Sequence, residues 1–240
     1  MENIRRVQLS EIAEFITKGT TPTTLGYEFQ EEGVNFLKIE CFDENGDFVE
    51  SKATHISNEC HERLKRSQLK SGDILFSIAG VIGRVASVTE DMLPANTNQA
   101  LAIIRISDEQ VYLPYVKLIL TSPIVIEQFE KKKQGVAQLN LSLKDISEFS
   151  IPLPSKKEQI ELAELFTKII NVISKRKEEL KALDDIIKAR FVEMFGDPIT
   201  NPKEWKMVEL GKLTTIGSSK RIFEKEYVSE GIILDILMKR

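Results

Sequence analysis

The chain has 240 residues, 42% of them hydrophobic and 29% charged, and a net charge of −4 at pH 7. That is enough for one sizeable core plus appended elements, and no apolar run reaches the ~20 residues of a membrane span. The start, Met1-Glu-Asn-Ile-Arg-Arg, lacks the apolar stretch of a secretory leader, and Cys41 and Cys60 make no disulfide framework, so a cytoplasmic protein is expected.

Residues 1–150 carry 16 Lys+Arg against 22 Asp+Glu. Neutralising phosphates with Lys and Arg supplies much of the affinity for nucleic acid, so charge balance alone does not point there. A nucleic-acid contact would need a local basic face.

Residues 1–153 read as a strand-rich domain, irregular α+β or mostly β, with α+β taken as the fold class. Apolar stretches at Val34-Asn-Phe-Leu, Ile74-Leu-Phe-Ser-Ile and Ala100-Leu-Ala-Ile-Ile are separated by turn signals such as Asp43-Glu-Asn-Gly-Asp and Gly72-Asp73. Their spacing shows no βαβ alternation. Tyr112–Lys133 reads as helix in two pieces, because Pro123 interrupts it.

Ile151-Pro-Leu-Pro-Ser-Lys-Lys-Glu-Gln marks a boundary. Two prolines enforce extended backbone, and Ser155 with Glu158 three residues later is a capping-box signature. Helical periodicity then continues over 154–196, without Gly or Pro until Gly196. Leu162, Phe166, Ile169, Ile173, Leu180, Leu183 and Ile187 follow alternating steps of four and three, interrupted at Arg176. This is a coiled-coil seam, and about 40 helical residues would span roughly 60 Å. Gly196-Asp-Pro ends the pattern.

Residues 197–240 open a weak internal repeat. Val208, Leu210, Leu213 and Ile216 match Val7, Leu9, Ile12 and Phe15 in order and spacing. A period near 200 residues indicates a duplicated domain of which about 40 residues are present.

Chemistry is sparse. Asn96-Thr-Asn-Gln99 lacks the prolines and aromatic residue of an adenine methyltransferase motif, and Gly80-Val-Ile-Gly83 is no dinucleotide fingerprint. Glu130-Lys-Lys ends a helical stretch rather than lying on a nuclease strand. Cys60-His61, His55 and Cys41 match no standard metal-ligand spacing. Neither catalysis nor a metal site is expected.

Several segments, taken in order, resemble the specificity subunits of type I restriction-modification enzymes. They are Val7-Gln-Leu-Ser-Glu-Ile with Thr17-Lys-Gly-Thr-Thr-Pro22, Lys70-Ser-Gly-Asp-Ile-Leu through Gly83, Asn98-Gln99, and Gly135-Val-Ala-Gln138 with Asn140. Ile151 through Gln159 and Phe195-Gly-Asp-Pro198 through Trp205 and Gly211 complete the series.

The resemblance implies a DNA target-recognition domain followed by a long spacer and dimerisation helix. It implies a non-catalytic subunit that positions methyltransferase and restriction subunits on a bipartite duplex target, reading base edges in the major groove. No cofactor is expected on this chain, since S-adenosylmethionine, ATP and magnesium belong to those partners. Candidate DNA contacts are Lys18, Thr20, Thr21, Lys38, Arg84, Asn96, Asn98, Lys131, Lys132, Lys133, Gln134, Gln138 and Asn140. The helix seam implies a homodimer. Two other readings stay open: a coiled-coil adaptor that binds protein, and a fragment of a standalone DNA methyltransferase.

Overall fold

A computed structural model describes residues 4–43, 46–131, 140–215 and 217. The chain divides into two compact units, residues 1–176 and 177–240. The first unit is the expected α+β assembly. Its main sheet is antiparallel and four-stranded, in the order β2 (Phe15–Lys18), β8 (Leu101–Arg105), β5 (Ile74–Ser77), β6 (Val85–Ser87). A three-stranded sheet places β3 (Val34–Leu37) between β4 (Thr54–Ile56), antiparallel, and β7 (Ala95–Thr97), parallel. A third pairing joins β1 (Arg6–Gln8) to β9 (Ser150–Pro152), with Val7 opposite Ile151.

The central strands β5 and β8 are buried on both faces, which is why they read as continuous apolar runs rather than alternating ones. Ile74, Phe76, Ala102 and Ile104 point into one core with Val116, Leu120, Val125 and Phe129. Those four come from α3 (Leu113–Leu120) and α4 (Pro123–Glu130), and Pro123 opens the second helix as anticipated. Leu75, Leu101 and Ile103 point into a second core with Leu37 and Ala95. A smaller third core lies under α2 (Asn58–Arg63), around Phe36, Ile56 and Cys60.

At one end of this sheet Arg105 pairs with Asp73, the Nε and Nη2 atoms each 2.6 Å from a carboxylate oxygen. Asp73 also accepts the Lys70 amide, and its side chain is 1% exposed against 14% for Arg105. The Asp73 bonds push the guanidinium pKa up. The guanidinium stacks on Phe15, 4.5 Å from the ring centroid.

The helix α6 runs Lys156–Phe195, 40 residues. Ser155 donates its hydroxyl and amide to Glu158, at 2.6 and 2.9 Å, and these bonds hold the Glu158 carboxyl below its ordinary pKa. Gln159, buried, receives the Tyr112 amide and donates to the carbonyls of Gln110 and Pro154. Tyr115 donates to Pro152 O at 2.8 Å. Burial pushes its hydroxyl pKa up to about 12. Short α1 (Leu9–Ile12) packs against α5 (Leu143–Ser147), which also lies against β2.

In the second unit the end of α6 is closely capped. Gly196 adopts φ +79, a left-handed conformation that suits glycine, and its amide returns to Val192 O. Lys203 donates to the carbonyls of Glu193 and Met194, and the Trp205 indole to Phe195 O. The repeat residues Val208, Leu210 and Leu213 are 45, 62 and 72% exposed, whereas Val7, Leu9 and Ile12 are buried. Ile216 and residues 218–240 lie outside the described residues. No helix among the described residues is long and apolar enough to cross a membrane.

Removing the Asp73 carboxylate leaves a nearly buried guanidinium without its partner. We expect Asp73→Ala to cost about 3–5 kcal/mol of unfolding free energy, read from urea midpoints. A change under 1 kcal/mol would show that the pair is not structural. Tyr115, whose pKa is raised in the folded state, contributes stability present below pH 10 and lost as pH rises toward about 12. Tyr115→Phe should flatten that part of the stability profile, measured as denaturant midpoints from pH 9 to 12.

Candidate nucleic-acid interface

The loops at the end of the main sheet opposite the Arg105–Asp73 pair form a connected row. Lys18, the last residue of β2, stands opposite Ala102. The Ile78 amide donates to Ala100 O, and the Leu141 amide donates to Ile78 O, both at 2.9 Å. Segments 18–21, 98–100, 78–83 and 140–141, distant in sequence, therefore emerge side by side.

The first two are packed backbone to backbone. Gly19 lies so close to the 97–98 turn that a Cβ there would stand 1.9 Å from Thr97 O, so no side chain fits. The Thr20 amide donates to Thr97 O at 3.2 Å. The Thr21 hydroxyl donates to the Gln99 side-chain oxygen, and the Thr24 hydroxyl to Thr21 O. Pro22 then opens a short 3-10 turn, Pro22–Leu25, closed by Gly26 at φ +83.

A basic segment, Arg63-Leu-Lys-Arg66, lies beside this loop. The Arg66 guanidinium donates to the Thr17 hydroxyl at 3.3 Å. Thr20, Leu25, Glu62, Arg63, Lys65 and Arg66 line a cleft of about 500 Å³. Asn96 holds the segment from below. It is fully buried on β7, and its amide donates to Leu64 O and Ser67 Oγ at 3.1 and 3.0 Å. Its oxygen accepts from His61 Nδ1, which must carry the proton because an amide oxygen cannot donate.

Three expected contacts have intramolecular partners in the structure. Asn96 is a core residue whose side-chain polar atoms are all engaged within the fold. Arg84 donates to the carbonyls of Phe42 and Asp43, at 2.7 and 2.8 Å. Lys38 places its ammonium over the Phe29 ring, 4.5 Å from the centroid. Lys18 and Asn140 are exposed and belong to the row, while Thr20 and Thr21 are half-buried within it. Asn98, half-buried, accepts the Ala100 amide on its side-chain oxygen at 3.1 Å. Lys131 is exposed at the end of α4, whose Phe129 packs against Gly83. Lys132, Lys133, Gln134 and Gln138 lie outside the described residues.

Arg63, Lys65, Arg66 and Gln99 are exposed here and are not among the candidate contacts above, although Gln99 lies in one of the segments that carry the resemblance. The signal for the first three was a basic tetrad inside an acidic region. Cys41 and Cys60 are buried, which pushes both thiols' pKa up. Among the described residues no His, Cys, Asp or Glu group is arranged to hold a metal ion.

The family described as type I restriction modification DNA specificity domain matches residues 1–182. The type I restriction enzyme EcoBI specificity subunit of Escherichia coli is 27% identical over 200 residues, covering 81% of this chain and 41% of that protein. Among solved structures, the HsdS subunit from Thermoanaerobacter tengcongensis superposes with a TM-score of 0.55 at 20% identity, covering 87% of this chain and 54% of that one. A chain from a structure of type I R-M system assembly and conformational transition superposes with a TM-score of 0.62, also at 20% identity, covering 95% and 58%. These two share the fold, and the chain spans from two fifths to under two thirds of the length of these relatives. With its family match covering most of its length, the chain belongs to the type I restriction modification DNA specificity domain family.

Proposed function

We propose that this chain is a non-catalytic DNA-recognition component of a type I restriction-modification system. Residues 1–153 act as the target-recognition domain, 154–196 as a spacer and dimerisation helix, and 197–240 as the start of a second repeat. The observation that carries the reading is the row of loops at one end of the main sheet, flanked by Arg63, Lys65 and Arg66. It supplies a basic, hydroxyl- and amide-bearing edge on a chain whose total charge is acidic. Lys18, Lys131, Arg63, Lys65 and Arg66 meet phosphates, which position the domain, and the amide and hydroxyl groups lie where base edges would be read. Methylation and cleavage, with S-adenosylmethionine, ATP and magnesium, belong to methyltransferase and restriction subunits docked alongside.

Phosphate contacts make binding salt-dependent. Affinity for duplex DNA should fall as salt rises, with a log–log slope of about −0.9 per phosphate neutralised. Replacing Arg63, Lys65 and Arg66 together with Ala should weaken binding to all sequences and reduce the slope by about 3. Fluorescence anisotropy at several salt concentrations measures both. An unchanged slope would take this segment out of the interface.

The helix supports the homodimer. Leu162, Phe166, Ile169, Ile173, Leu180, Leu183 and Ile187 are 37 to 67% exposed, as are Leu165, Ile170, Val172 and Ile186. Such side chains gain roughly 1.5–3 kcal/mol each on full burial. A two-fold pairing would cover both copies and present identical recognition domains to an inverted, interrupted target. Light scattering should give about twice the 27.3 kDa chain mass, and Ile173→Lys with Leu180→Lys should return it to one. A wild-type monomer at tens of micromolar would overturn the homodimer.

A further inference from the structure

Two threonines, Thr17 near the end of β2 and Thr21 in the loop that follows, each hold a long polar side chain from a neighbouring segment. Thr17 accepts from Arg66, and Thr21 donates to the side-chain oxygen of Gln99. The guanidinium suits phosphate as readily as a base. The amide is different, because it carries no charge and gains little from phosphate beyond an ordinary hydrogen bond.

Gln99 is exposed, yet the turn that bears it is immobilised on both sides. Gly19 presses against the carbonyls of Thr97 and Asn98. The Ala100 amide is held by Asn98 Oδ1, and the Ala100 carbonyl by the Ile78 amide. Glutamine loses considerable rotamer freedom when it is ordered, and here the Thr21 hydroxyl has already ordered it. The bond occupies one lone pair of Oε1. Two N–H donors and one lone pair remain, and no described residue hydrogen-bonds to the amide nitrogen.

That remaining pattern complements the major-groove edge of a purine. Both purines offer N7 as an acceptor, which one N–H can meet. Adenine adds an N6–H donor for the remaining lone pair, and guanine adds O6 for the second N–H. Pyrimidine edges lack N7 and offer one polar group each.

We propose that Gln99 reads a purine through N7 in the major groove, with Thr21 as the residue that positions it. The inference rests on the DNA-recognition reading above and adds a named base-reading group to it. It also gives Thr21 an indirect part, since its hydroxyl is used on Gln99 rather than on a base.

Selection of the full-length protein on a randomised duplex library tests this. The wild type should enrich a motif with a purine at one fixed position of the half-site. Gln99→Ala should remove preference at that position alone, a loss of about 5- to 150-fold for the preferred base. Gln99→Glu should shift it to cytosine, whose N4 amino group a carboxylate accepts. Thr21→Val should weaken the same position, and Thr21→Ser should restore it.

A probe independent of any variant uses the wild-type protein on its own motif with 7-deazaadenine or 7-deazaguanine at the purine. It should lose affinity there and at no other purine to the same extent. Unchanged binding to the deaza duplex, or a pyrimidine at the position Gln99→Ala relaxes, overturns the proposal. So does a uniform loss at every position with a lowered melting temperature, which would mark Thr21–Gln99 as a structural clip. Absence of binding to any duplex is a separate result, because it removes the DNA-recognition reading itself.

Discussion

The first unit depends on one constraint: β5 and β8 are covered on both faces. Along β8, Leu101 and Ile103 serve one core while Ala102 and Ile104 serve the other, and all four are fully buried. A sheet with both faces covered has only its edges and ends left for solvent. One end is closed by the Arg105–Asp73 pair, where two backbone segments and an aromatic ring meet a single ion pair. The other end carries the loops. The concentration of polar, exposed side chains there follows from the way the cores are shared.

Polar groups buried beneath the basic segment do comparable work on a smaller scale. Asn96 binds Leu64, Ser67 and His61, and Gln68 returns a bond to the His61 carbonyl at 2.9 Å. A buried amide with one partner missing would be costly, so the network tolerates few arrangements of residues 61–68. Arg63, Lys65 and Arg66 are thereby placed at the loop row by uncharged residues beneath them. An acidic chain can in this way present a local cationic edge, because position rather than net charge decides what a duplex meets at contact.

Much of this was legible in the sequence. The apolar runs at 34–37, 74–77 and 101–105, the break at Pro123, the Ser155–Glu158 box and the Gly196 stop all rest on local rules, and each has its counterpart in the fold. What escaped was non-local. The β1–β9 pairing joins residues 144 apart, a separation no period announces. Asn96 and Gln99 belong to the same polar tetrapeptide, and nothing in residue type says that one is buried and the other exposed. Gln159 looks like an exposed first-turn residue, but it is buried and bonds three backbone groups. The repeat was visible only as a pattern. Val208, Leu210 and Leu213 keep the apolar spacing of Val7, Leu9 and Ile12, yet burial at the first site depends on Ile151 and its neighbours from far along the chain.

Gln159 and Tyr115 have a mechanical significance that follows from the length of α6. Forty residues in a helix span about 60 Å. An angular error of about 10° at its base would therefore move its far end by roughly 10 Å, about three base-pair steps of 3.4 Å. If α6 sets the spacing between two half-sites, as proposed above, its root has to be fixed far more tightly than that. The root here combines a reciprocal cap, a buried glutamine bonded to three backbone groups, Ala163 within the main core, and a tyrosine tied to Pro152. Apolar burial alone would resist sliding poorly, because hydrophobic contacts are non-directional. Directional hydrogen bonds at the first turn supply what packing lacks, and a buried polar residue at this joint fits the spacer role proposed for α6.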